Sequence, residues 1–291
     1  MIHVTAAEFI YDAKAKLAEG PFWDEKSNQL LWVDIDGGRV HFYDPETGKN
    51  RSYAMGQRVG CAVLGTSGLL YTGMDHGLYR NSLETGEQTQ LTDPETDKPG
   101  NRFNDGKCDP QGRFWAGTMV LEGNDGGASL YRMEHDQSLT VQKTGVTVSN
   151  GMAWDEANLW MYYIDTPSET IYRYDFDPES GAITNETTAF QTTELEGHPD
   201  GMTIDNEGKL WVAFFGGGCV RRFDPENGTV LETIEVEASN VTSCCFGGRD
   251  WSTLYITTGK EEDEPKSGGL FAIDLPVSGA KSHRYLDSPQ T

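Results

Sequence analysis

A short apolar segment recurs six times along the chain, and this repetition restricts the possible folds more than any other feature of the sequence. Successive copies begin roughly 40–50 residues apart, the spacing of propeller blades. The copies are short and rich in aromatic and β-branched residues, which is typical of strands. They are Leu31-Trp32-Val33-Asp34, Leu70-Tyr71-Thr72-Gly73, Phe114-Trp115-Ala116-Gly117, Leu159-Trp160-Met161-Tyr162, Leu210-Trp211-Val212-Ala213 and Leu254-Tyr255-Ile256-Thr257.

Each copy belongs to a longer unit of three or four strands. The recurrent segment is preceded by another apolar strand, which opens with a pair of small or polar residues, and it is followed by a third strand. Turns such as Asp44-Pro45-Glu46-Thr47-Gly48 separate the units. Six such units predict an all-β fold, a six-bladed β-propeller with a central channel, as one domain over residues 1–291. We expect the segment from Val4 to Tyr11 to complete the last blade as its outer strand and close the ring, because an unpaired edge invites aggregation.

Charge and cysteine usage exclude several classes of function. The net charge is -23, from 23 basic and 46 acidic residues, which argues against partners such as nucleic acid or an anionic membrane surface. The five cysteines form no zinc-finger spacing, so we expect reduced, buried thiols. The sequence contains neither a signal-peptide pattern nor an apolar run of about 20 residues, which predicts a cytoplasmic protein. A closed propeller can be a monomer or a small homo-oligomer.

Oxygen-bearing side chains stand at one recurrent position, before the small residue that opens each inner strand. Units 1, 4 and 5 supply Glu19, Asn150 and Asp200 there, and Asn104 and Asp105 are further candidates from unit 3. Taken singly, each pair is an ordinary turn signal. Because the inner strands of a propeller converge on its axis, the shared offset predicts one metal site. Such oxygens suit Ca²⁺, Mg²⁺ or Mn²⁺, and a set of three leaves positions open for water and substrate.

Six motifs together resemble the senescence-marker-protein/gluconolactonase family, especially its regucalcin-like sugar lactonases, over essentially the whole chain. The resemblance implies a six-bladed propeller with one divalent metal, Ca²⁺ in the first place and Zn²⁺, Mn²⁺ or Mg²⁺ as alternatives, that hydrolyses aldonolactones. The motifs are Glu19-Gly20-Pro21-Phe22-Trp23, Asn101-Arg102-Phe103-Asn104-Asp105-Gly106-Lys107, Ala116-Gly117-Thr118-Met119, Ser149-Asn150-Gly151, Pro199-Asp200-Gly201-Met202 and Thr242-Ser243-Cys244-Cys245-Phe246-Gly247-Gly248.

The resemblance also implies roles for individual residues. The family's metal ligands fall on Glu19, Asn150 and Asp200, and its substrate-binding residues fall on Arg102, Asn104 and Glu122. The loop around Glu122 departs from the acidic pattern expected of regucalcin, which implies a different sugar preference. Asp200 would serve both as metal ligand and as general base for the attacking water. Arg102 would orient sugar oxygens or stabilise developing charge, and Asn104 would bind substrate hydroxyls.

Two alternatives stay open at this stage. The same metal scaffold could act as a phosphotriesterase or another esterase, or the protein could be a non-enzymatic calcium-binding regulator. A serine hydrolase is disfavoured because the sequence contains no GxSxG motif. His198, beside Asp200, could be a base or a ligand, but lone histidines are more often structural.

Overall fold

Twenty-five strands form six sheets in the computed structural model, counted over the residues that it describes, 3–123 and 125–287. The first strands are β1 (His3–Ala6) and β2 (Glu8–Tyr11). The first three blades follow as β3 (Ala18–Asp24), β4 (Gln29–Asp34), β5 (Arg39–Asp44), β6 (Lys49–Ala54), β7 (Val59–Leu64), β8 (Leu70–Met74), β9 (Gly77–Asn81), β10 (Gln88–Thr92), β11 (Asn101–Cys108), β12 (Phe114–Val120), β13 (Ala128–Met133) and β14 (Leu139–Val146).

The second half of the ring repeats the same four-strand meander. Its blades are built from β15 (Ser149–Asp155), β16 (Trp160–Asp165), β17 (Thr170–Phe176), β18 (Ile183–Gln191), β19 (His198–Ile204), β20 (Leu210–Phe215), β21 (Cys219–Asp224), β22 (Thr229–Glu235), β23 (Val241–Gly247), β24 (Thr253–Thr258) and β25 (Leu270–Asp274). The innermost strands pack on one another in ring order, and β23 of the last blade packs on β3 of the first. The predicted six-bladed propeller is therefore confirmed.

The ring is closed by the N-terminal segment, though only by part of the predicted stretch. Strand β2 pairs antiparallel with β25 and supplies the fourth strand of the sixth blade, as expected. The prediction was wrong for the residues before it, since β1 pairs in parallel with β22 and becomes a fifth strand of the fifth blade. Ala7 lies between the two strands, and its amide donates to the Glu235 carbonyl at 2.9 Å. The segment therefore joins two blades.

Aromatic side chains of the repeat are buried between the blades. Trp32, Trp115 and Trp211 are fully buried, as the recurrent segment predicts. In the fifth blade the buried indole N–H has an acceptor, since Asp205 Oδ2 accepts from Trp211 Nε1 at 3.0 Å, whereas Trp32 Nε1 has no partner among the described residues. The fourth copy is shifted relative to the prediction. Leu159 is 48% exposed in the turn before β16, with a φ of 55°, and does not open the strand.

Every inner strand contains a β-bulge close to the point where it begins. The ladder register between inner and second strand shifts at this position in all six blades. A bulge inserts an extra residue and changes the direction of the neighbouring side chains. Glycine is needed at such a bulge for a steric reason. A Cβ on Gly60 would lie 2.2 Å from the Phe103 carbonyl oxygen of the next blade. The bulges thus bring the backbones of adjacent blades very close together at the hub.

The segment after β25 closes the opposite end of the channel. Gly279 bridges to Asp205 and Tyr285 bridges to Gly65, so the segment crosses from the fifth blade to the second. Residues 280–283 of this segment line a cavity of about 50 Å³ inside the channel. Tyr285 is fully buried and packs edge-on against Tyr71, with ring centroids 4.6 Å apart. The segment therefore covers one end of the channel, and the end where the inner strands begin is the one that it leaves open.

Two smaller expectations also have an outcome. All five cysteines are free and buried, as predicted. Within the described ranges, the chain forms no helix with the length and apolarity that a membrane span requires.

Candidate metal centre

Three predicted ligands from separate blades lie together at the open end of the channel. Glu19, Asn150 and Asp200 follow the first residue or two of β3, β15 and β19, at the bulges. Their exposed fractions are only 6%, 4% and 7%. The Asp200 carboxylate lies close enough to both the Glu19 carboxylate and the Asn150 amide for each to influence its pKa. The structure therefore brings the three side chains to one hub.

The hub concentrates buried negative charge. Burial raises the pKa of Glu19 well above its usual value, and the charges of Asp200 and Asp105 raise it further. Burial also raises the pKa of Asp200 to about 8, although the Asn150 amide acts in the opposite direction. Burying carboxylates without a counter-charge is strongly unfavourable. A cation at this position would remove the penalty.

The donor set fits a hard divalent cation. Asp200 Oδ1 is buried and has no hydrogen-bond partner in the part of the chain that the structure describes, which is rare for a buried carboxylate oxygen. The Asn150 amide oxygen accepts from the Gly151 amide at 3.2 Å, which leaves one lone pair free. Two carboxylates and one amide match the oxygen ligands that Ca²⁺ or Mg²⁺ prefers. Within residues 3–123 and 125–287, no cluster of three or more His, Cys, Asp or Glu side chains has metal-site spacing, and the trio contains only two such residues.

The remaining inner-strand positions contribute differently. Asp105 is buried beside the trio, where burial raises its pKa while the Lys107 ammonium lowers it. Lys107 Nζ donates to the carbonyl oxygens of Met152 at 3.1 Å and Met202 at 2.7 Å, and so joins three blades below the hub. Thr242 binds the Ala18 carbonyl oxygen at 2.6 Å. Three blades therefore supply the carboxylates of the hub, Glu19, Asp105 and Asp200, and a fourth supplies the Asn150 amide.

A buried arginine lies next to this acidic hub. Arg102 is 6% exposed, and its Nη1 donates to the Phe103 carbonyl oxygen at 2.8 Å and to Asn104 Oδ1 at 2.9 Å. Its buried Nε has no partner among the described residues. Burial lowers the pKa of this guanidinium, while the charges of Asp36 and Glu19 raise it. Arg102 thus keeps donor capacity for an oxygen atom of a ligand.

Asn104 makes more protein contacts than the predicted substrate role requires. Its Oδ1 accepts from Arg102, and its Nδ2 donates to the Ser149 carbonyl oxygen at 2.9 Å. Ser149 directly precedes Asn150, so Asn104 connects the guanidinium to the strand that carries a predicted ligand. One Nδ2 hydrogen is left for a substrate hydroxyl.

Two other candidates form no hydrogen bond or ion pair with the trio among the described residues. Glu122 is on the exposed loop after β12, and its backbone amide donates to the Gly100 carbonyl oxygen at 3.2 Å. Its carboxylate forms no hydrogen bond or ion pair with any described residue. His198 is exposed and pairs with Glu169 at 3.1 Å, consistent with the structural role favoured from the sequence.

Sequence reasoning missed the polar groups that support the site. In the sequence Lys107 stands out only as part of a motif, and no signal indicates Thr166 or the Ser149 carbonyl. Thr166 lies in a 3-10 turn, Thr166–Ser168, after the second strand of the fourth blade, and the other blades have no counterpart in sequence. No repeat pattern therefore singles it out.

The fold and the hub together define a class of protein, a six-bladed β-propeller with an acidic oxygen-donor site at the open end of its channel. The chain belongs to the SMP-30/gluconolactonase/LRE-like family, whose model matches residues 17–260. The family resemblance read from the motifs is thus confirmed.

Named relatives and solved structures are similar over nearly the full length of the chain. "Putative sugar lactone lactonase YvrE" of Bacillus subtilis (strain 168) is 43% identical, with 92% of this chain and 94% of that protein covered. Pentonolactonase XacC of Haloferax volcanii is 34% identical, over 94% and 96% of the two chains. The solved structure of a calcium-binding protein, regucalcin from Agrobacterium tumefaciens, has a TM-score of 0.91 at 26% identity, over 98% and 99%.

Proposed function

We propose that the protein is a metal-dependent lactonase that opens a sugar lactone to the corresponding hydroxy acid. The observation that carries this proposal is the buried trio of Glu19, Asn150 and Asp200, in which Asp200 Oδ1 lacks a partner. A buried guanidinium with a free donor lies beside the trio. The printed names of the relatives, sugar lactone lactonase and pentonolactonase, support the same substrate class.

In this proposal Glu19, Asn150 and Asp200 would hold the cation, with Ca²⁺ as the first choice. A divalent cation bound there would supply Lewis-acid chemistry toward the lactone carbonyl. Three protein ligands leave coordination positions for water and substrate. Asp105, deeper in the channel, adds negative charge without adding a ligand. How rigidly the bulges hold the three side chains would then determine which ion size the site prefers and how tightly it binds that ion.

The chain's own residues would handle proton and substrate. Asp200 Oδ1 would accept a proton from the attacking water, whose oxygen bonds to the carbonyl carbon. The ring C–O bond then breaks, and the proton ends on the released hydroxyl oxygen. Arg102 Nε would donate to the carbonyl oxygen or a sugar oxygen as negative charge develops there. Asn104 would hold Arg102 in place and offer its remaining hydrogen to a substrate hydroxyl.

A lactone panel tests this proposal. Metal-stripped protein receives Ca²⁺, Zn²⁺, Mn²⁺ or Mg²⁺, and acid release from five- and six-membered sugar lactones is followed with a pH indicator. We expect metal-dependent acid release that is lost in Asp200→Asn. Metal binding is measured separately by calorimetry. Acid release that is unaffected by chelation would contradict the proposal.

Calcium binding without catalysis is the second candidate, because solved and curated relatives carry the name regucalcin and one is called a calcium-binding protein. The same panel separates the two functions. Tight calcium binding with no turnover of any lactone or simple ester would favour the regulator. Turnover of phosphotriesters alone would favour the esterase alternative. The cytoplasmic location, the single-domain organisation and the Glu122 contact stay predictions.

A further inference from the structure

We propose that Thr166 is a positioning residue that fixes the orientation of the Asn150 amide, a predicted metal ligand. The Thr166 hydroxyl lies between two of the predicted ligands and touches the strands of both. Asn150 Nδ2 donates to Thr166 Oγ1 at 3.1 Å, and Thr166 Oγ1 donates to the Pro199 carbonyl oxygen at 2.9 Å. Pro199 directly precedes Asp200. The hydroxyl therefore links the fourth blade to the fifth at the site itself.

The direction of this link follows from hydrogen-bond chemistry. A carbonyl oxygen can only accept, so Thr166 must give its single hydroxyl proton to Pro199. The hydroxyl oxygen is then available to Asn150 only as an acceptor. Asn150 has to present its NH₂ end to Thr166, and its oxygen consequently points away from it, where it accepts from the Gly151 amide. An amide flipped by 180° would set its oxygen against the Thr166 hydroxyl oxygen, whose proton is already given to Pro199, and its NH₂ against the Gly151 N–H, so both bonds would be lost.

Backbone and side-chain bonds hold Thr166 firmly in this place. The Thr166 amide donates to the Val148 carbonyl oxygen at 3.1 Å, and the Val148 amide donates to Asp165 Oδ1 at 2.8 Å. Ser168 Oγ donates to the Asp165 carbonyl oxygen at 2.7 Å and tightens the turn. The hydroxyl is thus presented by a rigid turn, as expected of a group that orients a metal ligand.

This inference rests on the proposed metal site, and the experiment keeps the two apart. Affinities for Ca²⁺ and Mn²⁺ are measured by titration calorimetry on the metal-stripped full chain. In Thr166→Val, which keeps the side-chain shape without the hydroxyl, we expect the affinity to fall about 10–100-fold. Thr166→Ser keeps the hydroxyl and should stay within about threefold of the wild type. Thr166→Ala provides a second hydroxyl-free variant if the valine variant folds poorly.

Thr258→Val is the matched control. The Thr258 hydroxyl is fully buried and donates to the Gly269 carbonyl oxygen at 2.9 Å within the sixth blade, which supplies none of the three predicted ligands. Its loss should lower the melting temperature and leave metal affinity unchanged. A drop in affinity equal to that of Thr166→Val would show a merely structural effect and would overturn the inference.

A second background tests the amide orientation directly. A carboxylate has oxygen at both ends, so in Asn150→Asp the choice of end no longer matters. Adding Thr166→Val to Asn150→Asp should therefore cost much less affinity than adding it to the wild type. Equal costs in the two backgrounds would contradict the orienting role. A wild-type protein that binds neither ion would refute the proposed metal site itself, whereas wild-type binding that Thr166→Val leaves intact would refute only the role of Thr166.

Discussion

Replacing Asp200 by asparagine should stabilise the metal-free protein at high pH. Burial raises the folded-state pKa of Asp200 from 3.8 to about 8, so between these values the folded protein binds more protons than the unfolded chain. The free energy of unfolding of the wild type should therefore fall as the pH rises through this window. Asparagine imitates the protonated carboxyl group and removes that dependence.

The size of the effect follows from the pKa difference. Each pKa unit corresponds to about 1.4 kcal/mol, so a rise from 3.8 to about 8 sets an upper limit of about 6 kcal/mol. Water at the open channel end and proton sharing with Glu19 make the actual free-energy difference smaller than this limit. We expect Asp200→Asn to exceed the wild type by about 2 kcal/mol or more at pH 8 and to match it near pH 4.

Urea unfolding of chelator-treated protein at several pH values measures this difference. Asp263→Asn, in the exposed loop before β25, removes the same charge from the surface and should change little. Excess Ca²⁺ should make the wild type more stable than Asp200→Asn. A Ca²⁺ concentration of about 100 times the dissociation constant stabilises the folded wild type by about 2.7 kcal/mol. A pH-independent difference, or a metal-free wild type that is the more stable at pH 8, would refute the reasoning.

Three further changes test other parts of the structure. Arg102→Met should lower kcat/KM for a lactone about 10²–10³-fold and leave the metal affinity measured by calorimetry unchanged. A variant with the kcat/KM of the wild type would show that Arg102 takes no part in the reaction. Burial lowers the pKa of His41, which stacks on Trp32, to about 4, so the unfolded chain binds more protons between about pH 4 and pH 6.5. Lowering the pH through this window should reduce the free energy of unfolding of the wild type, measured in urea, by at most about 3 kcal/mol relative to that of His41→Phe. A difference between the two proteins that does not change with pH would contradict this. Gly60→Ala would force a Cβ against the Phe103 carbonyl oxygen and should lower the melting temperature by at least about 5 °C in calorimetry, a result that an unchanged melting temperature would exclude.

The architecture could be predicted from the sequence because each blade repeats the same physical requirements. Trp32, Trp115 and Trp211 occupy equivalent strands since each blade buries a large ring against the next. The parallel pairing of β1 could not be predicted, because a largely exposed edge strand of only four residues is too short for its pattern to specify which blade it joins. The C-terminal segment around Tyr285 was also missed, since it forms isolated bridges instead of strands.

The site was predictable only where the repeat constrained it. Glu19, Asn150 and Asp200 share one offset in their units, so the symmetry of the ring was enough to bring them together. Thr166 has no counterpart in other blades, and its importance arises from a turn whose course the sequence does not specify. The bonds of Asn104 to Arg102 and to the Ser149 carbonyl could not be predicted for a related reason, because side-chain bonds between blades depend on the spacing of backbones at the hub.

Ring closure by β2 also constrains how the chain can fold during synthesis. The sixth blade takes its outer strand from residues 8–11 and its other three strands from residues 241–274, so the outer strand leaves the ribosome long before its partners. Until β25 has emerged, β2 has no antiparallel neighbour and the hydrogen-bonding edge of that early strand stays unsatisfied. Completion of the native protein is therefore a late, long-range event, and premature termination anywhere before residue 270 should yield an open, aggregation-prone array of blades.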